Sequence, residues 1–183
     1  MIPPFDHNLV LPPHLGDPTN MQHLSPYYCT SLELARRFSF NPIRIQLLKN
    51  LFIFRQGLRN AGLQGNCFQW IDGSFVENKE QICNESPGDI DVVTFYHGYD
   101  NVMAAQIVQN FPAFNDRAVA RDTFLLDHFP VNLQRGPLFA YTYVKYWTML
   151  FNHSRLGVWK GILLLEVNTP ADDEEALVYL NGL

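Results

Sequence analysis

The sequence predicts a mixed α/β fold, chiefly because strand-like and helix-like patterns alternate along it. Short β-branched and aromatic runs are interspersed with longer segments whose apolar residues recur at helical spacing. The inferred order is two helices, two strands, and then helix and strand in alternation up to a final helix. With 183 residues, 47% of them hydrophobic and 17% charged, the chain is long enough and apolar enough for one core. We expect a small mixed sheet of about four to five strands flanked by helices.

The first 28 residues differ from the rest in containing six of the twelve prolines and no sustained period. They predict an extended N-terminal arm, ordered only if it packs on the body, with residues 29–183 as a single domain. The first helix is expected after Thr30, because Thr30 and Glu33 have the spacing of a capping box. Further helices are predicted from Asn41-Pro42 to about Gly62, over 101–110, over 138–152 and from Thr169-Pro170 onward.

Four segments have the composition of strands: Cys67–Ile71, Asp89–Tyr96, part of Thr123–Leu133, and Gly161–Val167. Residues 74–88 are expected to form a polar loop between the first two. The aromatic residues of the 138–152 helix could stack a nucleic-acid base, but helical spacing favours a place in the core.

The net charge of −5 argues against generic nucleic-acid binding, yet the charges are unevenly distributed. Residues 31–60 hold six basic residues and one acid, whereas residues 72–127 hold ten acids and three basic residues. We expect the basic residues of 31–60 to lie largely on the outer side of their helices, where they could also meet phosphates. The absence of a long apolar run and of a secretory signal, with three widely spaced cysteines, predicts a cytoplasmic protein with reduced thiols and no membrane partner.

Asp89-Ile90-Asp91 stands at the start of a predicted strand and is the first candidate for chemistry. Because side chains alternate along a strand, both carboxylates project to one side, about 7 Å apart at their backbones. Such a pair repels unless a cation lies between them, and carboxylate oxygens suit Mg²⁺ or Mn²⁺ rather than zinc. Two surface acids at a strand end are the alternative interpretation.

The segment Asp72-Gly73-Ser74, upstream of this pair, favours the cation site. Glycine lets the backbone approach a ligand closely, and consecutive amides near a turn can bind phosphate oxygens. A strand followed by Gly73-Ser74, a loop and then an Asp-x-Asp strand places a phosphate-binding turn beside a metal site.

With these motifs the sequence resembles the DNA polymerase beta-like nucleotidyltransferase superfamily, whose pattern is a hydrophobic strand, Gly-Gly or Gly-Ser, a spacer, and Asp-hydrophobic-Asp. That resemblance implies a third carboxylate on a later strand. We assign it to Asp127, a lone acid in an apolar run, with Asp122 as the competitor. A closer resemblance is to small stand-alone bacterial proteins of this superfamily without an assigned function. It rests on residues 73–80, 87–92, 147–151 and 160–162 and covers about 47–167.

The resemblance implies a two-metal enzyme that transfers a nucleoside monophosphate from a nucleoside triphosphate such as ATP to a protein, RNA or small-molecule acceptor, within a toxin–antitoxin or phage-defence system. Asp89 and Asp91 would bind both Mg²⁺ ions, and Asp127 the one that activates the attacking hydroxyl. Gly73 and Ser74 would hold the β- and γ-phosphates, and Lys79 could pair with phosphate charge. A catalytically silent nucleotide-binding or regulatory module, acting through a protein partner, is the alternative.

Overall fold

One five-stranded sheet organises the protein in the computed structural model, which describes residues 1–183. Its strands are β1 (Tyr27–Tyr28), β2 (Asn66–Asp72), β3 (Ile90–His97), β4 (Leu126–Asn132) and β5 (Leu163–Glu166). The spatial order is β1-β5-β2-β3-β4. β2 is antiparallel to both of its neighbours, whereas the outer pairs, β1 with β5 and β3 with β4, are parallel. The predicted mixed α/β class and strand number are therefore confirmed.

Seven α-helices surround the sheet: α1 (Ser31–Phe38), α2 (Pro42–Asn60), α3 (Lys79–Cys83), α4 (Asn101–Asn110), α5 (Arg117–Phe124), α6 (Pro137–Phe151) and α7 (Pro170–Asn181). The capping box of α1 forms as predicted, since Thr30 accepts from the Glu33 amide and Glu33 accepts from the Thr30 amide. Asn41 caps α2 by accepting from the amide of Arg44. None of these helices is long and apolar enough to cross a membrane.

Two helices lie where the sequence pattern predicted none. The expected loop 74–88 contains the short α3, which Asn78 caps through the amide of Gln81. The helix α5 begins at Asp116, whose side chain accepts from two backbone amides, and ends at Leu125, which has a left-handed backbone (φ 55°). The strand predicted within Thr123–Leu133 therefore begins only at Leu126. Both helices are short, with five and eight residues, so they span too few turns to show the repeating apolar pattern that identifies a longer helix.

The N-terminal arm packs on the body and supplies the edge strand β1. Leu11 is buried, and its carbonyl accepts from the Gly161 amide at 2.7 Å. The Leu9 carbonyl accepts from the amide of Asn78 at 2.8 Å. These contacts attach the arm to the segment before β5 and to the segment after β2.

The prediction that the basic residues of α2 lie on the outer side is wrong for three arginines. Arg44 and Arg55 have no exposed surface, and Arg59 is 8% exposed. The alternative that they meet phosphates fails for the same reason. Buried guanidinium groups require acidic partners, and these partners come from segments distant in sequence.

Each of these arginines has an identified partner. Arg55 and Arg59 both contact Asp173 of α7, at 3.0 and 2.6 Å. Arg44 donates to Glu80 at 2.8 Å and to the backbone carbonyls of Phe75 and Glu77. The first group ties α2 to α7, and the second ties α2 to the segment that follows β2.

The two faces of the sheet differ in how much apolar packing covers them. The larger core includes Leu51, Phe52 and Ile71 and lies on the α2 side. On the opposite face, α6 contributes Trp147 and Phe151 to a smaller cluster with Trp70 and Phe95. The candidate site lies on this second face, where the strands extend beyond the packed cluster.

Candidate functional site

Three aspartates form a row across one end of the strands β2, β3 and β4. Asp72 of β2 pairs in register with Asp91 of β3, and Asp91 pairs with Asp127 of β4. Paired residues of adjacent strands lie about 5 Å apart at their Cα atoms and share a face. The fold therefore brings together Asp91 and the predicted third carboxylate, Asp127, with Asp72 as an additional neighbour.

Two arginines from α5 neutralise the outer carboxylates of this site. Arg117 forms a two-pronged ion pair with Asp127, and Arg121 donates to Asp89 at 2.7 Å. Because the arginines are four residues apart, they project from one side of α5. Asp89 immediately precedes β3 and lies two residues from Asp91, as the alternation of the strand predicted.

Asp91 is the carboxylate of this group without a hydrogen-bond or ion-pair partner. Burial, together with the charges of Asp89 and Asp127, raises the pKa of Asp91 to about 6, against the smaller lowering effects of Lys160 and Arg155. Asp91 therefore lies within electrostatic range of two other acidic groups. A cation placed there would relieve the repulsion.

Gly73 allows Asp91 to approach the backbone closely. Its φ of +79° lies in the left-handed region, and a Cβ built on it would lie 2.9 Å from Cγ of Asp91 and closer still to Oδ2. Any side chain at this position would therefore displace the carboxylate. Glycine is therefore required at position 73 for a structural reason, in addition to its predicted role in holding phosphate: it makes room for Asp91.

A buried lysine, Lys160, fastens the Gly73 turn to the sheet. Its Nζ donates to the carbonyl of Gly73 at 2.8 Å and contacts Glu77 at 3.0 Å and Asp72 at 3.1 Å. Burial lowers the pKa of Lys160, but the charges of Asp72 and Glu77 outweigh that effect and the net shift is upward. Burial also raises the pKa of Asp72, whose Oδ1 has no partner.

A cleft of about 920 Å³ opens beside the aspartate row. Five of the six predicted site residues line it: Gly73, Ser74, Lys79, Asp89 and Asp91. Asp127 does not, because Arg117 and β3 lie on either side of it. Lys79 forms an ion pair with Glu85 at 3.0 Å. The opposite wall comes from the end of α6 and the turn after it, with Met149, Leu150 and Arg155.

The two competitors for the third carboxylate have different positions. Asp127 is 7% exposed and in register with Asp91, whereas Asp122 is an exposed residue of α5. The sequence favoured Asp127 because it is a lone acid in an apolar run, with Asp122 five residues earlier as the competitor. The different positions of Asp122 and Asp127 follow from the boundary between α5 and β4, which falls between these two residues.

Besides Arg117 and Arg121, three residues of the site were missed by sequence reasoning. Asp72 stood beside Gly73, Lys160 stood in the stretch 160–162 that contributes to the resemblance, and Arg155 stood in an unassigned segment. A lysine next to an apolar strand is a weak signal of burial, since most lysines are exposed. Their importance appears only when β5 is placed beside β2.

The oxygen donors of the aspartate row and of Asp89 decide whether a divalent cation fits the site. Carboxylate oxygens are the ligands that Mg²⁺ and Mn²⁺ prefer. In the present arrangement, however, no three acidic, histidine or cysteine side chains converge closely enough to hold one ion. The residues fit the cation chemically, and the arrangement requires Arg117 and Arg121 to release their carboxylates first.

Fold and site together define a mixed α/β protein with an acidic cleft at one face of its sheet. The chain belongs to a family of unknown function, DUF6932, whose model matches residues 3–166. The match includes the arm, the whole aspartate row and Lys160. No curated protein and no solved structure matches the chain.

Proposed function

We propose that the protein is a metal-dependent nucleotidyltransferase that moves a nucleoside monophosphate from a nucleoside triphosphate to an acceptor. The observation that carries the proposal is the position of Asp91. It is central in the aspartate row, lacks a cation partner, and lies against the Gly73 turn in the cleft.

The roles proposed for individual residues follow from their positions. Asp89, Asp91 and Asp127 would hold Mg²⁺ or Mn²⁺, which when bound supplies Lewis-acid stabilisation of charge on the transferring phosphoryl group. Gly73 and Ser74 line the cleft beside Asp91, where their backbone could hold phosphate oxygens. Lys79 and Arg155 supply positive charge at its walls, which would orient the triphosphate.

Nucleotidyl transfer is tested directly with labelled triphosphates. The purified protein is incubated with a cell extract, Mg²⁺ and each of four α-³²P-labelled nucleoside triphosphates, and labelled acceptors are separated by gel electrophoresis. The proposal predicts transfer that Asp91→Asn abolishes and that Asp122→Asn leaves intact. Transfer unchanged in Asp91→Asn would remove Asp91 from the proposed site.

A second candidate function is favoured by the two α5 arginines. Arg117 and Arg121 already neutralise Asp127 and Asp89, two of the carboxylates proposed to bind the metal ion. An enzyme in this state would not bind its metal. A nucleotide-binding or regulatory module, acting through a protein partner, would keep these pairs permanently.

Removal of the arginines distinguishes the two candidates. In the enzyme, Arg117→Ala with Arg121→Ala should tighten Mn²⁺ binding, measured by isothermal titration calorimetry, because the carboxylates are freed. In the silent module the ion pairs are structural, and the same variant should lose stability without gaining metal affinity. Arg36→Ala, which removes an exposed arginine of α1, is the control.

A further inference from the structure

The outer face of α6 and the turn that follows it differ in composition from the rest of the protein. No acidic residue occurs between Asp127 and Glu166, although the chain as a whole carries a net charge of −5. The same interval contains four basic residues, of which Lys160 is buried. The other three, Arg135, Lys145 and Arg155, are exposed and form no ion pair.

Aromatic and apolar side chains of α6 lie on the surface among these cations. Tyr141 is 63% exposed and Tyr146 is 54% exposed, and Tyr143 and Leu138 are also exposed. The expectation that the aromatic residues of this helix belong to the core is therefore wrong for the three tyrosines, and it is confirmed for Trp147 and Phe151. Phe139 of the same helix is partly buried and packs against the cluster that contains Trp147 and Phe151.

This surface runs into the candidate cleft. Tyr141, Lys145 and Met149 succeed one another at four-residue intervals, so they form a row along the helix. Met149, together with Leu150 and Arg155, also lines the cleft that contains Asp89 and Asp91. A molecule lying along the row would reach the aspartates at its end.

We infer that this face, defined by Tyr141, Lys145, Tyr146, Met149 and Arg155, binds a single-stranded nucleic acid that serves as the acceptor. Exposed planar rings can stack bases, and exposed cations that form no ion pair can neutralise phosphates, so a segment that itself contains no acidic residue suits a polyanion. The role of this nucleic acid as the acceptor rests on the proposed function. The binding surface itself is argued from α6 and from Arg155 in the turn that follows it.

Fluorescence anisotropy with the full chain tests the binding surface. The probes are fluorescein-labelled 12-nucleotide oligoadenylate and oligouridylate, each as RNA and as DNA, at several salt concentrations. We expect the wild type to bind the RNA or the DNA form, with an affinity that falls as salt rises. Tyr141→Ala and Tyr146→Ala should each weaken binding about tenfold or more, and Lys145→Gln should reduce the salt dependence.

Matched controls come from exposed residues on other surfaces. Tyr28→Ala removes a half-exposed tyrosine of β1, and Arg36→Gln removes an exposed cation of α1. Neither should change oligonucleotide binding. Circular dichroism of all variants confirms that they fold, since the substituted side chains are exposed.

Several outcomes would overturn the inference. These are no binding of any oligonucleotide by the wild type, equal loss in the Tyr28→Ala control, and binding to anionic phosphatidylserine vesicles in place of oligonucleotides. A Tyr141-dependent dimer in analytical ultracentrifugation without oligonucleotide binding would likewise assign the face to a second copy.

Failure of this inference is separable from failure of the proposed function. Mn²⁺-dependent binding of a nucleoside triphosphate depends on Asp91 and should persist in Tyr141→Ala. Triphosphate binding without oligonucleotide binding overturns only the acceptor surface. Oligonucleotide binding without triphosphate binding overturns only the proposed reaction.

Discussion

Substitution of Gly73 by alanine tests the close approach on which the site depends. The left-handed backbone at φ +79° costs an alanine about 1–2 kcal/mol. The new Cβ also meets Asp91, at 2.9 Å from its Cγ, so the half-buried carboxylate must move away from the Gly73 turn. Such overpacking costs about 1–3 kcal/mol, and the total is about 2–5 kcal/mol.

Gly98→Ala separates the two contributions. Gly98 has a φ of +89° and no atom within 4 Å of a built Cβ, so only the backbone term applies. The free energies of unfolding, measured by urea denaturation with circular dichroism, should fall by about 1–2 kcal/mol for Gly98→Ala and by more for Gly73→Ala.

A double-mutant cycle identifies Asp91 as the obstacle. In Gly73→Ala with Asp91→Ala the carboxylate is gone, and the double variant should be more stable than the sum of the single changes by about 1–3 kcal/mol. Equal destabilisation by Gly73→Ala and Gly98→Ala, or strict additivity in the cycle, would refute the argument that Gly73 makes room for Asp91.

Two further predictions concern buried ionisable groups. Lys160→Met leaves the carboxylates of Asp72 and Glu77 without their cation and should lower the free energy of unfolding by about 3–5 kcal/mol, and Lys160→Met with Asp72→Asn should recover part of that loss in urea denaturation. Burial lowers the pKa of His128 from its usual 6.5 to about 3. As the pH falls, the unfolded chain therefore takes up a proton before the folded protein does. The free energy of unfolding should decrease as the pH falls from 6.5 toward 3. In denaturation at stepped pH, His128→Gln should reduce that fall, whose slope is at most about 1.4 kcal/mol per pH unit; an unchanged slope would contradict the buried neutral ring.

The elements that sequence predicted well have strong local signals. The α1 capping box and the Asn41-Pro42 start of α2 are set by residues three positions apart, so they need no tertiary information. The helices α3 and α5 have only five and eight residues, too few turns for a repeating pattern, and their caps, Asn78 and Asp116, resemble ordinary loop residues.

The candidate site likewise contains residues that local spacing predicts and residues that it does not. Asp89, Asp91 and Gly73 are close in sequence and form a recognisable spacing. The partners of the acids come from elsewhere: Arg117 and Arg121 from an unpredicted helix, and Lys160 from the segment before β5. These contacts depend on strand order, which no local pattern contains.

Buried arginines are the clearest limit of the pattern argument. Arg55 and Arg59 share Asp173, more than 110 residues away in the chain. On a helical projection Arg55 lies on the apolar face of α2, four residues after Leu51 and three before Leu58, so position alone indicated burial. The sequence nevertheless predicted these arginines on the surface, because burying a cation without an acidic partner is very unfavourable. Their partner, Asp173, could not be identified from local spacing.

Isothermal titration calorimetry of Mn²⁺ with ATP, GTP, CTP and UTP tests the central claim most directly. The wild type should bind a triphosphate only when Mn²⁺ is present, Asp91→Asn should lose that binding, and Asp122→Asn should retain it. Triphosphate binding that is independent of the metal, or equal in Asp91→Asn and the wild type, would contradict the claim that Asp91 is the centre of a metal-dependent nucleotide site.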